Sequence, residues 1–167
     1  MRGRLLSMLA VLVGVTAMAQ SGNPPPLDPS MVVGKPQTDY LIGCGGCHGE
    51  TGKSNSRLVP DLRDQVGYYL MTKEGREYLA RLPNVAFYFA NDTDLAAILN
   101  YAIFDIGGAG VPPGAKRYTA SEVARLRKRP LNEVSLVQYR AHLVDDLIAN
   151  HGAPATMRFY TNQYLPH

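Results

Sequence analysis

Apolar positions recur along this chain at helical spacing. Leu95, Ile98, Leu99 and Ala102 fall at i, i+3, i+4 and i+7, which predicts a helix over 92–103 with one face toward a core. Asn91 or Asp92 is placed to cap it, because a short side-chain oxygen there accepts from the unpaired amides of the first turn. Leu62, Val66, Tyr69 and Leu70 predict an earlier helix over 61–71, with Pro60 at its first turn, where a missing N–H costs little. Gly75 is expected to break that helix before a second short piece over 74–82. Val134, Val137, Ala141, Val144 and Ile148 line one face of a last helix over 132–150, with Gly152 as its stop. Thr119-Ala120-Ser121-Glu122 reads as a capping box. It opens a short helix carrying Arg125, Arg127, Lys128 and Arg129. The expected fold class is mostly α.

The breaks between these segments divide the chain. Arg2 and Arg4 precede an apolar run over 5–15, and Ala17-Met18-Ala19 stands before Gln20. That order is the pattern of a cleaved secretory signal peptide over 1–19. The run is short for a spanning helix, so membrane contact is expected only if the segment is retained. Residues 20–36 contain Pro24, Pro25, Pro26, Pro29 and Pro36 and read as an extended linker. A second break, rich in Gly and Pro, runs over 104–114. Two helical parts follow from this: 37–114, and a C-terminal extension over 115–167.

Composition changes this picture little. With 167 residues, 46% of them hydrophobic, the chain is long enough for one cored domain. The net charge of +3 includes Arg2 and Arg4; without them 15 basic side chains face 14 acidic ones. No blanket basic surface exists to bind nucleic acid.

The chemistry concentrates in Cys44-Gly45-Gly46-Cys47-His48. C-x-x-C-H is the attachment signature of c-type haem. Two thiols three positions apart each form a thioether to one vinyl group of the porphyrin. The adjacent His supplies the proximal nitrogen ligand of the iron. Two rival readings fit less well. A structural zinc site needs four ligands, and this chain has two Cys in all. A thioredoxin-like pair sits between a strand and a helix, and nothing β-rich precedes Cys44. Haem attachment takes place outside the cytoplasm in bacteria, which agrees with the signal segment and a periplasmic address.

The run 43–49, then Gly52, Val59-Pro60-Asp61-Leu62, and the late helix ending Asn100-Tyr101-Ala102-Ile103 resembles the class I cytochrome c family over about residues 37–105. The resemblance implies a small helical domain around one covalent haem c, held by Cys44, Cys47 and His48. It implies that the late helix crosses the first one, with Leu99 or Tyr101 near Tyr40 and Leu41. Arg57 is placed to pair with a haem propionate or to stand in solvent. The helical C-terminal extension departs from the family pattern.

So does the missing methionine. The family takes its sixth iron ligand from a Met just before the late helix. Here the segment 83–91 has none; beyond the signal segment only Met31, Met71 and Met157 remain. Four arrangements stay open: Met71 as metal ligand beside His48; a five-coordinate iron under Phe87, Tyr88 and Phe89; Tyr88 as a phenolate ligand; or a ligand from the extension, His142, His151, His167 or Met157. The first expectation for function is single-electron carriage between a periplasmic donor dehydrogenase and a downstream cytochrome or oxidase. The extension, with Met157, Phe159, Tyr160, Tyr164 and Leu165, would otherwise attach the chain to a fixed redox complex. An open iron would bind small ligands. Efficient peroxidase chemistry is disfavoured, since 83–91 offers Asn84, Tyr88 and Asn91 but no His or Arg.

Overall fold

Residues 35–48 run as one helical stretch in a computed structural model that describes residues 34–56 and 59–159. The signal segment, most of the linker, Met31, Arg57, Tyr160, Tyr164, Leu165 and His167 lie outside the described residues. Helix α1 (Lys35–Tyr40) starts at Pro36, passes into a π-helical turn over Leu41–Gly45, and closes as α2 (Gly46–His48). The wider turn carries Cys44 and ends just before Cys47, in keeping with π-turns at functional positions.

The late helix is the expected one. Helix α5 (Asp92–Asn100) continues as a π-helical turn over Tyr101–Ile106. The Asn91 side chain caps it, accepting from the Asp94 amide at 2.9 Å. Leu95, Ile98, Leu99 and Ala102 are all buried. The first stretch packs across it. Tyr40 meets Tyr101 ring to ring at 5.6 Å, tilted by 56°, and Lys35 bridges to Asp94 at 3.0 Å.

The segment over 61–71 differs from the expected helix. Only Val66–Met71 is helical, as a 3-10 turn. The amides of Leu62 and Arg63 both donate to the Gly52 carbonyl, at 2.8 and 3.0 Å. Asp64 sits at φ +59°, which α-helix does not permit. The predicted stripe is present, but at its start the amides of Leu62, Arg63 and Asp64 bond to Gly52 and Gly107, and the local bonds begin only at Gln65 and Val66. Gly75 does not break a helix either; it lies inside α3 (Lys73–Arg81), where the Thr72 hydroxyl caps its amide at 2.9 Å. A Cβ there would lie 2.3 Å from the Tyr69 carbonyl oxygen, so the glycine allows this close approach. A short α4 (Pro83–Ala86) follows.

The last part adds α6 (Ala120–Arg127) and α7 (Leu136–His151). Thr119 caps α6, but the Glu122 side chain does not close the expected box; its carboxylate takes Arg76 at 2.7 Å. Helix α7 is capped by Ser135 and stops at Gly152, φ +75°. Its buried face is Arg140, Ala141, Leu143, Val144 and Leu147. Val134, expected on that face, precedes the helix and is exposed. One buried cluster joins Val66, Leu79, Leu95, Leu99 and Ile103 to Val123, Leu126, Val144, Leu147 and Met157. Each fully buried aliphatic side chain contributes about 1.5–3 kcal/mol, so α6 and α7 complete a shared core.

Candidate cofactor site

The residues after His48 are folded back so that a carbonyl meets the imidazole. Gly49 turns the chain at φ +74°, and a Cβ there would lie 2.2 Å from the Lys53 carbonyl oxygen. The Tyr40 hydroxyl donates to the Gly49 carbonyl at 2.8 Å. Asp61 holds the loop from the far side, accepting from the Ser54 amide at 2.8 Å and pairing with Lys53 at 3.2 Å. The Arg63 guanidinium donates to the Thr51 carbonyl at 2.8 Å. Pro60 is thereby placed with its carbonyl 3.0 Å from His48 Nδ1. A carbonyl only accepts, so Nδ1 carries the proton and Nε2 keeps a lone pair. Burial lowers the His48 pKa, with the Pro60 bond and Asp61 opposing. The imidazole is neutral at neutral pH, as a metal ligand must be.

His48 lies on the wall of a partly open cavity. Cys44 and Cys47 line the same cavity. The structure therefore brings together the three residues of the sequence motif. Cys44 is half-buried and Cys47 exposed. Burial pushes the Cys44 thiol up to about 11, with Cys47 adding to the shift. A dithiol redox centre runs on a lowered thiol pKa, so this environment does not suit one. Among the described residues no group of three or more His, Cys or carboxylate side chains is placed to hold a metal ion directly.

The rest of the wall is mainly aliphatic and aromatic, including Leu62, Leu79, Leu82, Val85, Leu95 and Leu99. Tyr88 closes one side, and its hydroxyl would lie 2.6 Å from a Cβ on Gly43. Only glycine at 43 lets that ring approach the motif. Met71 does not line the cavity; it ends the Val66–Met71 turn, half-buried against the main core. Met157 is fully buried in that core. Neither His142 nor His151 reaches the cavity wall.

Two arginines of the last part reach the site without a signal in the apolar period. Arg140 of α7 lines the cavity and is 3% exposed. Its position is legible all the same: Val137, Arg140, Ala141 and Val144 share one helical face. Arg127 of α6 donates to the carbonyls of Ala86 at 2.9 Å, Ala90 at 2.8 Å and Tyr88, and pairs with Asp92 at 3.1 Å. It pins the segment between α4 and α5, and no local signal marks it.

These residues fit a covalently held haem. Two thiols stand at thioether spacing, beside a neutral imidazole whose Nδ1 is already tied, and an apolar cavity takes the macrocycle. The buried guanidinium of Arg140 suits the carboxylates that a haem carries, since Arg pairs with carboxylate through two parallel bonds.

No family model matches the chain, and no solved structure matches it. Two curated proteins do. Both are cytochrome c-552, one from Thermus thermophilus and one from a named strain of the same species. Each is 30% identical over 118 residues, covering 60% of this chain and 90% and 80% of the relatives. The chain belongs to the cytochrome c-552 family of c-type cytochromes.

Proposed function

We propose that this protein is an exported monohaem cytochrome that carries single electrons between redox proteins of the periplasm, from a donor dehydrogenase to a downstream cytochrome or oxidase. The observation that supports it is the convergence of Cys44, Cys47 and an Nδ1-tied His48 on one mostly apolar cavity. Cys44 and Cys47 would form the two thioethers, and His48 Nε2 would be the proximal iron ligand. The bound haem supplies the one-electron couple. The protein binds it, excludes water from most of it and fixes the proximal imidazole. Arg140 would pair with one of the haem's carboxylates.

The exchange surface lies beside the exposed Cys47. Ile42, Phe87 and Phe89 are 71%, 71% and 86% exposed. Ile42 adjoins Gly43, on which Tyr88 rests, and Phe87 and Phe89 flank Tyr88 in the chain. A redox partner docking there would meet an apolar contact next to the thioether edge. Such contacts are small and transient. The export signal is the segment 1–19, cleaved before Gln20.

The test is production in a host with haem-attachment machinery. The mature chain is expected to keep one haem per polypeptide through denaturation and acid extraction, and to lose it as Cys44→Ser with Cys47→Ser. A chain recovered from that host without covalent haem would overturn the reading.

A further inference from the structure

A haem iron held by His48 has a second axial position, and the cavity residues decide what fills it. Among the described residues, the wall contains no Met, no Lys and no His besides His48; Cys44 and Cys47 are the attachment thiols. The phenols on the wall are Tyr69, Tyr78 and Tyr88. Tyr69 and Tyr78 are stacked, centroids 5.3 Å apart at 19°, and Tyr78 stacks again on Tyr139 at 6.0 Å. Those rings are engaged in packing. Tyr88 is engaged as well, its ring 4.5 Å from that of Phe89 and its hydroxyl end resting against Gly43.

Nor is the segment before α5 able to swing a ligand in. Apart from Tyr88 it contains none, and Arg127 holds its carbonyls at Ala86, Tyr88 and Ala90 together with Asp92. A charged group bonded to several carbonyls makes strong, directional contacts. The segment is fixed as a cover.

We propose that the described residues of this chain leave the sixth coordination position of its haem iron without a ligand, as a binding site for a small uncharged diatomic molecule. The proposal rests on the haem reading above. An uncharged ligand is the class the cavity admits, because Leu79, Leu82, Val85, Leu95 and Leu99 offer an anion nothing to replace its hydration. The buried cation on the wall, Arg140, would face the haem's own carboxylates. Electron exchange at the exposed edge does not need the sixth position, so the two activities coexist.

The experiment uses the purified holoprotein and carbon monoxide as the probe. Covalent haem is scored first, by its retention on the denatured chain; its absence would sink the haem reading itself. With haem present, the ferrous protein is titrated with carbon monoxide. The expected result is a high-spin ferrous spectrum that converts fully, with one carbon monoxide per haem. A low-spin ferrous spectrum unmoved by carbon monoxide would overturn the proposal, whichever residue proved to be the ligand. Met71→Ala, Met157→Ala and Tyr88→Phe are expected to leave the starting spin state unchanged; a change from low to high spin in any of them would also overturn it. Arg127→Lys serves as a cover variant. It is expected to leave the spin state alone and speed carbon monoxide association several-fold.

Discussion

At the scale of single residues, the site is built by pairs that hold one another in place. His48 depends on Pro60, and Pro60 depends on the Asp61 contacts and on the Gly49 turn. Gly49→Ala adds a Cβ at a left-handed position, 2.2 Å from a backbone oxygen. It is expected to cost about 2–3 kcal/mol and to lower haem incorporation, as read by thermal melts and haem-to-protein ratio. A second pair joins the early and late parts. Arg76 takes Glu122 through two bonds of 2.7 Å, lies over the Tyr118 ring at 4.0 Å, and its backbone carbonyl accepts from the Tyr118 hydroxyl at 2.5 Å. The Arg76 bond holds the Glu122 carboxyl below its ordinary 4.5, against the opposing pull of burial. A depressed carboxyl contributes stability above its unfolded pKa and loses it as pH falls through the folded one. Glu122→Gln is therefore expected to melt earlier at pH 7, by about 1–2 kcal/mol, with the gap closing below about pH 4. A gap that persists at low pH would contradict the assignment. The motif residues are legible at this scale because their spacing is itself the chemistry. Pro60 reads locally as a helix start, since its partner is twelve residues away and no local pattern announces the bond.

At the scale of elements, legibility follows how local each element's bonds are. Helix α5 comes directly from its apolar period and its Asn91 cap, both contained within the segment. The 61–71 stretch has the same kind of stripe but is bonded to Gly52 and Gly107, contacts between parts far apart in sequence. Helix α7 lies where its pattern places it, with its face shifted. The apolar period includes Val134, which lies before the cap, and passes over Arg140, a residue type rarely found in a core. That arginine is buried on the wall of the cavity that the haem reading fills. Arg140→Gln is expected to lower the reduction potential by tens of millivolts, roughly a tenfold change in the one-electron equilibrium. Removing a positive charge disfavours the reduced iron, and Arg140→Lys should restore part of the shift. An unchanged potential would place the propionates elsewhere. The cover segment belongs to this scale too. Arg127→Ala is expected to cost about 2–3 kcal/mol and to expose amides 86–92 to hydrogen exchange, while those of α7 stay protected.

At the scale of the whole molecule, the part after residue 114 is structural before it is anything else. Tyr118, Val123, Leu126, Val144, Leu147 and Met157 are buried in the cluster that also holds the cavity-lining Val66, Leu79 and Leu99. A chain ending at Gly114 is expected to lose cooperative unfolding and retain no native near-UV signal. A well-folded truncated chain would contradict the shared core. The apolar face of α7 packs in this core, while Phe159 of the same part is exposed; the exposed apolar groups flanking the motif and Tyr88 in the chain are Ile42, Phe87 and Phe89. The central claim is that this fold exists to hold one haem on Cys44, Cys47 and His48. The pyridine haemochrome spectrum of the denatured, acid-extracted holoprotein tests it most directly. The expected result is one haem per chain, still attached, with the spectrum of two saturated vinyl groups. Haem that extracts freely, or a spectrum of unmodified vinyl groups, would contradict it.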